Sequence, residues 1–214
     1  MLLWFRNDLR VHDNPALAFY LRHHAPLLKQ TGKKRQALYF VSRAQWKRHG
    51  LSDIRQDFTF RHVELLARQL ATLGIELQVV DCATYDAQID YLMALVEKTN
   101  QRTLVVNQEL EYNEQQRDKK LQTLGINLVS FEADVIVPKG KVLTKQNDMF
   151  RVFTPFKKAW LQYVLFNGFD YIPKHAITAP EWHPTIATNS IEKYLNGLKD
   201  KSSIAWPLVT EVES

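Results

Sequence analysis

LLWFRNDLRVHDNPAL, residues 2–17, passes from strand to loop to helix within a single short stretch. Leu2-Leu3-Trp4-Phe5 is an apolar run of the length and composition of a strand covered on both faces. Arg6, Asp8, Arg10, His12 and Asp13 follow at once, and Asn14-Pro15 then supplies a cap with proline at the first helical position. A buried strand that discharges into a polar loop and a helix is the opening of a β–α unit.

The same unit recurs outward along the chain. Short apolar strands are predicted at 2–6, 36–41, 76–81, 103–107 and 127–132, each buried on both faces. Helices are predicted between them at 15–27, 53–73, 86–99 and 114–124; in the second, Ile54, Phe58, Val63, Leu66, Leu70 and Leu73 recur near helical spacing. Leu73-Gly74-Ile75 and Leu124-Gly125-Ile126 each put glycine where a helix stops and a strand starts, so TLGIEL and TLGINL mark one kind of junction used twice. Such alternation with short links requires right-handed crossovers and gives an α/β fold: a doubly wound, five-stranded, Rossmann-like parallel sheet over residues 1–132. Residues 133–214 read as a linker holding one helix near 152–167 and a weak helix near 191–198.

Composition narrows the class. The chain has 214 residues, 45% of them hydrophobic and 24% charged, enough to bury a real core. One cysteine, Cys82, excludes an internal disulfide framework and fits a reducing compartment. No apolar run approaches a membrane span and no signal-peptide pattern is present, so a cytoplasmic location without membrane partners is expected. The net charge of +5 gathers partly between Lys139 and Lys158, where six basic residues face one acid. Without interleaved aromatics of clear period, that segment is expected to bind DNA weakly and with strong salt dependence at most.

Several chemistries are missing. Neither G-x-G-x-x-G nor G-x-x-x-x-G-K-[ST] occurs, and the seven glycines are unclustered, which argues against a phosphate cradle. No metal-ligand spacing links the histidines to Cys82; His23-His24 reads as a solvent-facing pair. No nucleophile elbow is present either. The polar residues concentrate in loops at the carboxyl ends of predicted strands, where doubly wound sheets bind ligands. These are the opening run, SRAQWKRHG at 42–50, and NQELEYNEQQRD at 107–118. Each also has a structural reading: Asn113 as a helix N-cap with Glu114 in the first turn, Trp46 as a loop cover, His49 as a surface residue.

Four strings appear in order: WFRNDLRVHDNPAL at 4–17, the Gln45–His49 stretch QW-x-x-H, YNEQQRD at 112–118 and RVFTPFKKAW at 151–160. This set resembles the amino-terminal portion of DNA photolyases and cryptochromes, most closely bacterial class I enzymes for cyclobutane pyrimidine dimers, from residue 2 to about 165. The resemblance implies an antenna-chromophore domain followed by a helical FAD domain, with photoreduced flavin passing an electron to the dimer in damaged DNA. In folate-type members the antenna is methenyltetrahydrofolate, and the resemblance maps its contacts onto Asn113, Glu114 and His49, with Trp46 and Asp8 as weaker candidates. Amide and carboxylate groups suit the donor and acceptor edge of a pterin. The resemblance also places Arg6, Asp8, Arg10, His12 and Asp13 near the junction with the helical domain, solvated when that domain is absent. The FAD site lies in the helical domain by the same resemblance, so this chain alone is expected not to repair DNA, and no catalytic residue is assigned. The alternative is a free-standing nucleotide-binding or partner-docking module, which would have no need of RVFTPFKKAW.

Overall fold

The computed structural model describes residues 1–31 and 35–169. The linker beyond residue 169, with the helix expected near 191–198, lies outside the described residues. Strands β1 (Leu2–Phe5), β2 (Arg35–Val41), β3 (Ile75–Asp81), β4 (Thr103–Asn107) and β5 (Asn127–Phe131) form one sheet in the order β3-β2-β1-β4-β5. All four pairings are parallel. Helices α1 (Pro15–Thr31), α2 (Arg43–Arg48), α3 (Asp53–Thr72), α4 (Tyr85–Thr99), α5 (Tyr112–Thr123) and α6 (Phe153–Asn167) complete the described elements.

Strand period decides the two cores. Leu3, Phe5, Ala37, Tyr39 and Val41 meet Leu17 and Tyr20 of α1 and Phe60, Val63 and Leu66 of α3 on one face. Leu2, Trp4, Leu38 and Phe40 meet Ile89, Leu92 and Val96 of α4 and Leu121 of α5 on the other. Trp4, Phe5, Tyr20 and Phe60 are almost wholly enclosed, each worth about 1.5–3 kcal/mol or somewhat more for the largest rings. The sheet runs outward from β1 through β2 to β3, then restarts through β4 to β5, so the direction of winding reverses between β1 and β4.

Local chemistry sets the boundaries. The Asn14 Oδ1 accepts from the Leu17 N–H at 2.9 Å, capping α1 as expected. Gly74 and Gly125 adopt φ of +69° and +85°, the left-handed conformation that ends α3 and α5. Four readings need correction. β3 and β5 are sheet edges and partly exposed, so only the inner strands are covered on both faces. On α3 it is Phe60, 1% exposed, that enters the core, while Phe58 stands 39% exposed against His62. SRAQWKRHG is mostly helix: α2 forms without a side-chain cap, its Gln45 N–H tied to the Ala83 carbonyl. Finally, His23 is exposed but His24 is buried against the Tyr20 ring, with centroids 4.8 Å apart.

Candidate chromophore site

The polar loop after β1 folds inward. Arg6 is 5% exposed, with its guanidinium 4.0 Å from the Trp4 ring centroid. Its Nη1 and Nη2 donate to the two Asp118 carboxylate oxygens at 2.8 and 2.9 Å, the fork geometry that a guanidinium offers a carboxylate. Arg117 joins from α5 at 4.5 Å from the same Trp4 centroid, donating to Glu109 at 2.8 Å, Asp118 at 3.0 Å and Gln88 at 3.3 Å. Gln88 in turn donates to Ser42 at 2.7 Å, which ties α4 to the end of β2. Two cations and two anions thus share one enclosed cluster. Burial, with the like charge of Arg117, pulls Arg6 below its ordinary value. Burial lifts Glu109 above its ordinary value although both arginines oppose the shift. For Arg117, burial acts downward but Glu109 and Asp118 outweigh it, and its pKa rises.

These groups line a cavity of about 240 Å3 at the carboxyl ends of β1, β2 and β4, where the sheet reverses. Trp4, Arg6, Tyr85, Glu109, Glu114 and Arg117 are among its enclosing residues, and the exposed His49 and Arg55 stand at its rim with Trp46. Glu114 is 7% exposed; its Oε1 accepts from the Tyr85 hydroxyl and its Oε2 has no hydrogen-bond partner. Arg6 Nε is also without one, lying 3.8 Å from Glu109 Oε2. An enclosed acceptor and an enclosed donor, both unused, are what a ligand with a mixed donor and acceptor edge requires.

The predicted site residues separate in space. Glu114, His49 and Trp46 meet at the cavity. His49 lies 2.8 Å from Gln45 one helical turn back, and Trp46 packs edge-on against Phe60, so it is half core and half rim. Asn113 is exposed and outside the lining; helix α5 starts after Glu111, so Asn113 lies inside the first turn and is not its N-cap. Asp8 is buried and outside the cavity lining, accepting from the Arg6 backbone N–H at 3.1 Å, from Asn14 at 3.2 Å and from Asn107. Burial raises its carboxyl above the usual range. The expectation of solvated charges is therefore corrected for Arg6 and Asp8, which are bound internally because the loop tucks under α1 and α5. Arg10 is half-buried, donating to the Ala133 carbonyl at 2.8 Å; His12 and Asp13 are half-buried as well. Tyr85, Gln88, Glu109, Arg117 and Asp118 were not singled out by sequence. Arg117 sits one turn beyond Glu114 in YNEQQRD, a spacing that signals a shared helix face, whereas Tyr85 has no such signal.

A larger, more open and more apolar cavity of about 470 Å3 lies between residues 134–150 and α6, bounded by Val137, Leu143, Phe156 and Trp160. No group of His, Cys, Asp and Glu among the described residues is arranged to hold a metal ion. Nor is any helix of the described residues long and apolar enough to cross a membrane.

Comparison with known proteins agrees with this architecture. A family model described as DNA photolyase matches residues 1–181. The deoxyribodipyrimidine photo-lyase of Vibrio cholerae serotype O1 is 36% identical over 164 residues, covering 75% of this chain and 33% of the relative. That of Escherichia coli strain K12 is 33% identical over 163 residues, with the same two coverages. This chain therefore spans about a third of the length of these curated relatives. A crystal structure of a bacterial class III photolyase from Agrobacterium tumefaciens superposes with a TM-score of 0.58 at 21% identity, over 90% of this chain and 37% of the other. A cryptochrome from Synechocystis sp. PCC6803 gives 0.62 at 21% identity, over 89% and 40%. At that identity the two structures speak for the fold, the sequence relatives and the family model for descent, and together they make this chain a member of the DNA photolyase family, corresponding to its amino-terminal domain.

Proposed function

We propose that the chain is the light-harvesting part of a deoxyribodipyrimidine photolyase, binding methenyltetrahydrofolate as an antenna at the cavity beside β1 and β4. The observation that carries this reading is Glu114: a buried carboxylate on the cavity wall with Oε2 unpaired. A pterin edge offers N–H donors to such an oxygen and acceptors to a donor like Arg6 Nε. The residues present therefore fit the group, with Glu114 and Arg6 inside and His49 and Trp46 at the rim. When bound, the folate would supply absorption in the near ultraviolet. Asn113, being exposed, would contribute only at the outer edge of the site.

Repair of cyclobutane pyrimidine dimers, the FAD that drives it and the grip on damaged DNA are assigned to the parent enzyme, and no residue of this chain is given a catalytic role. Arg10, His12 and Asp13, half-buried on the β1–α1 loop, are proposed as the part of the junction that meets the helical domain. The test is absorption spectroscopy of the purified chain, titrated with methenyltetrahydrofolate and then desalted. A retained folate band that Glu114→Ala weakens by about tenfold or more supports the reading, since a hydrogen bond to a charged group is worth that much. A chain that retains none, or a variant that binds as well, overturns it.

A further inference from the structure

Glu114 has one hydrogen-bond partner among the contacts of its carboxylate, and it comes from another helix. The Tyr85 hydroxyl, 29 positions away in the first turn of α4, donates to Oε1. The nearer candidate, Arg117, is one turn along α5 from Glu114 but is taken by Glu109, Asp118 and Gln88. The Tyr85 ring is itself held, with the Arg117 guanidinium 5.1 Å from its centroid. A carboxylate fixed at one oxygen by a rigid phenol keeps its plane, and the other oxygen becomes its remaining acceptor.

Resting on the chromophore reading above, we infer that Tyr85 is a positioning residue of the cavity: it holds Glu114 by Oε1 and so reserves Oε2 for an N–H of the bound heterocycle. The phenol is suited to this because burial, then its bond to Glu114 and that group's charge, hold its ionisation well above the ordinary tyrosine range. It therefore stays protonated, and a donor, at neutral pH. Ligands with a ring N–H or amino group at the edge are the class so selected; a heterocycle offering only acceptors there would leave Oε2 buried and unpaired.

The test is a double-mutant cycle on folate affinity, with the chain, Tyr85→Phe, Glu114→Ala and the double variant titrated by absorbance and their thermal midpoints recorded alongside. Tyr85→Phe alone is expected to weaken folate by about tenfold. In the Glu114→Ala background it is expected to have no further effect, because the phenol acts through that carboxylate. Additive losses, or an unchanged affinity in Tyr85→Phe, overturn the inference, and a merely structural tyrosine would give one of these. If the unaltered chain takes up no folate, the chromophore reading falls. The Tyr85 role is then decided on the ligand-free protein by proton NMR. A slowly exchanging Tyr85 hydroxyl proton that vanishes in Glu114→Ala supports it, and its absence in the unaltered chain overturns it.

Discussion

Pressed against Trp4 at 4.0 Å, the Arg6 guanidinium has left water, and a buried cation is tolerated only with partners. Asp118 supplies both of its oxygens, so losing that charge would leave Arg6 and Arg117 with Glu109 alone. Asp118→Asn is therefore expected to lose about 3 kcal/mol of unfolding free energy, readable as a lower urea midpoint at unchanged slope. His24 gives a second residue-level expectation. Burial, with the positive amino terminus and Arg35 nearby, lowers its pKa from 6.5 to about 4. Below pH 6.5 the unfolded chain takes up a proton that the folded histidine resists, so stability falls as pH drops through that window, and the loss is complete near pH 4. His24→Gln should flatten the acid limb of a stability–pH profile between those limits; an unchanged limb would show that other groups set it. At this scale the sequence was only half legible. Arg6 could be placed at the end of a strand, but nothing in the string WFRND points to a carboxylate 112 residues away. Glu114 was reached through the resemblance. Tyr85 was invisible, since a tyrosine in a helix's first turn looks the same whether or not a carboxylate sits opposite.

Caps show how much an element's end depends on its surroundings. Thr84 does one thing, accepting from the Ala87 N–H at 3.3 Å to start α4. Asn14 starts α1 in the same way, but its amide also donates to Asp8 and to the Arg10 carbonyl, and its Oδ1 accepts from Asn107. Thr84→Ala should accordingly cost about 1 kcal/mol, whereas Asn14→Ala should cost about 2–3 kcal/mol, because Asp8 and Asn107 lose a buried partner as well. Equal losses in chemical denaturation would mean that the Asp8 network adds nothing to the cap. Element existence is readable for the long α1, α3 and α4, each of which carries a helical apolar stripe; α5 buries a single apolar side chain, Leu121, and is legible from its place between two strands and from the glycine that ends it. The short α2 gives no helical signal in the sequence: it has neither a side-chain cap nor an acidic first turn, and it holds through Trp46 on Phe60 and a backbone tie to Ala83. Asparagine is a strong cap former, so the sequence points to Asn113 as the cap of a helix over 114–124, yet α5 begins two residues earlier, at Tyr112, with Glu111 in the cap position and no side-chain cap bond.

For the molecule as a whole, the topology follows from one repeated constraint. Parallel strands need crossovers, helices fill them, and the reversal between β1 and β4 leaves a crevice into which three polar loops fall. That chain of reasoning requires only strand and helix order, which explains why the architecture was legible when the pairings inside the crevice were not. Helix α6 stands apart from it. None of its residues is buried, and Phe153, Leu165 and Phe166 are 72%, 84% and 92% exposed. Its links to the rest of the described chain run through residues 134–150, as in the Phe150–Phe156 ring contact at 6.0 Å. A helix that buries so little contributes little to the stability of the sheet it follows. Replacing both Leu165 and Phe166 by serine is therefore expected to leave the melting midpoint within about 4 °C of that of the unaltered chain, a shift of under about 1 kcal/mol for a domain of this size. Thermal circular dichroism of the two at equal concentration checks this. A markedly lower midpoint would mean that the apolar side of α6 is covered within the intact chain and that the sheet relies on the covering.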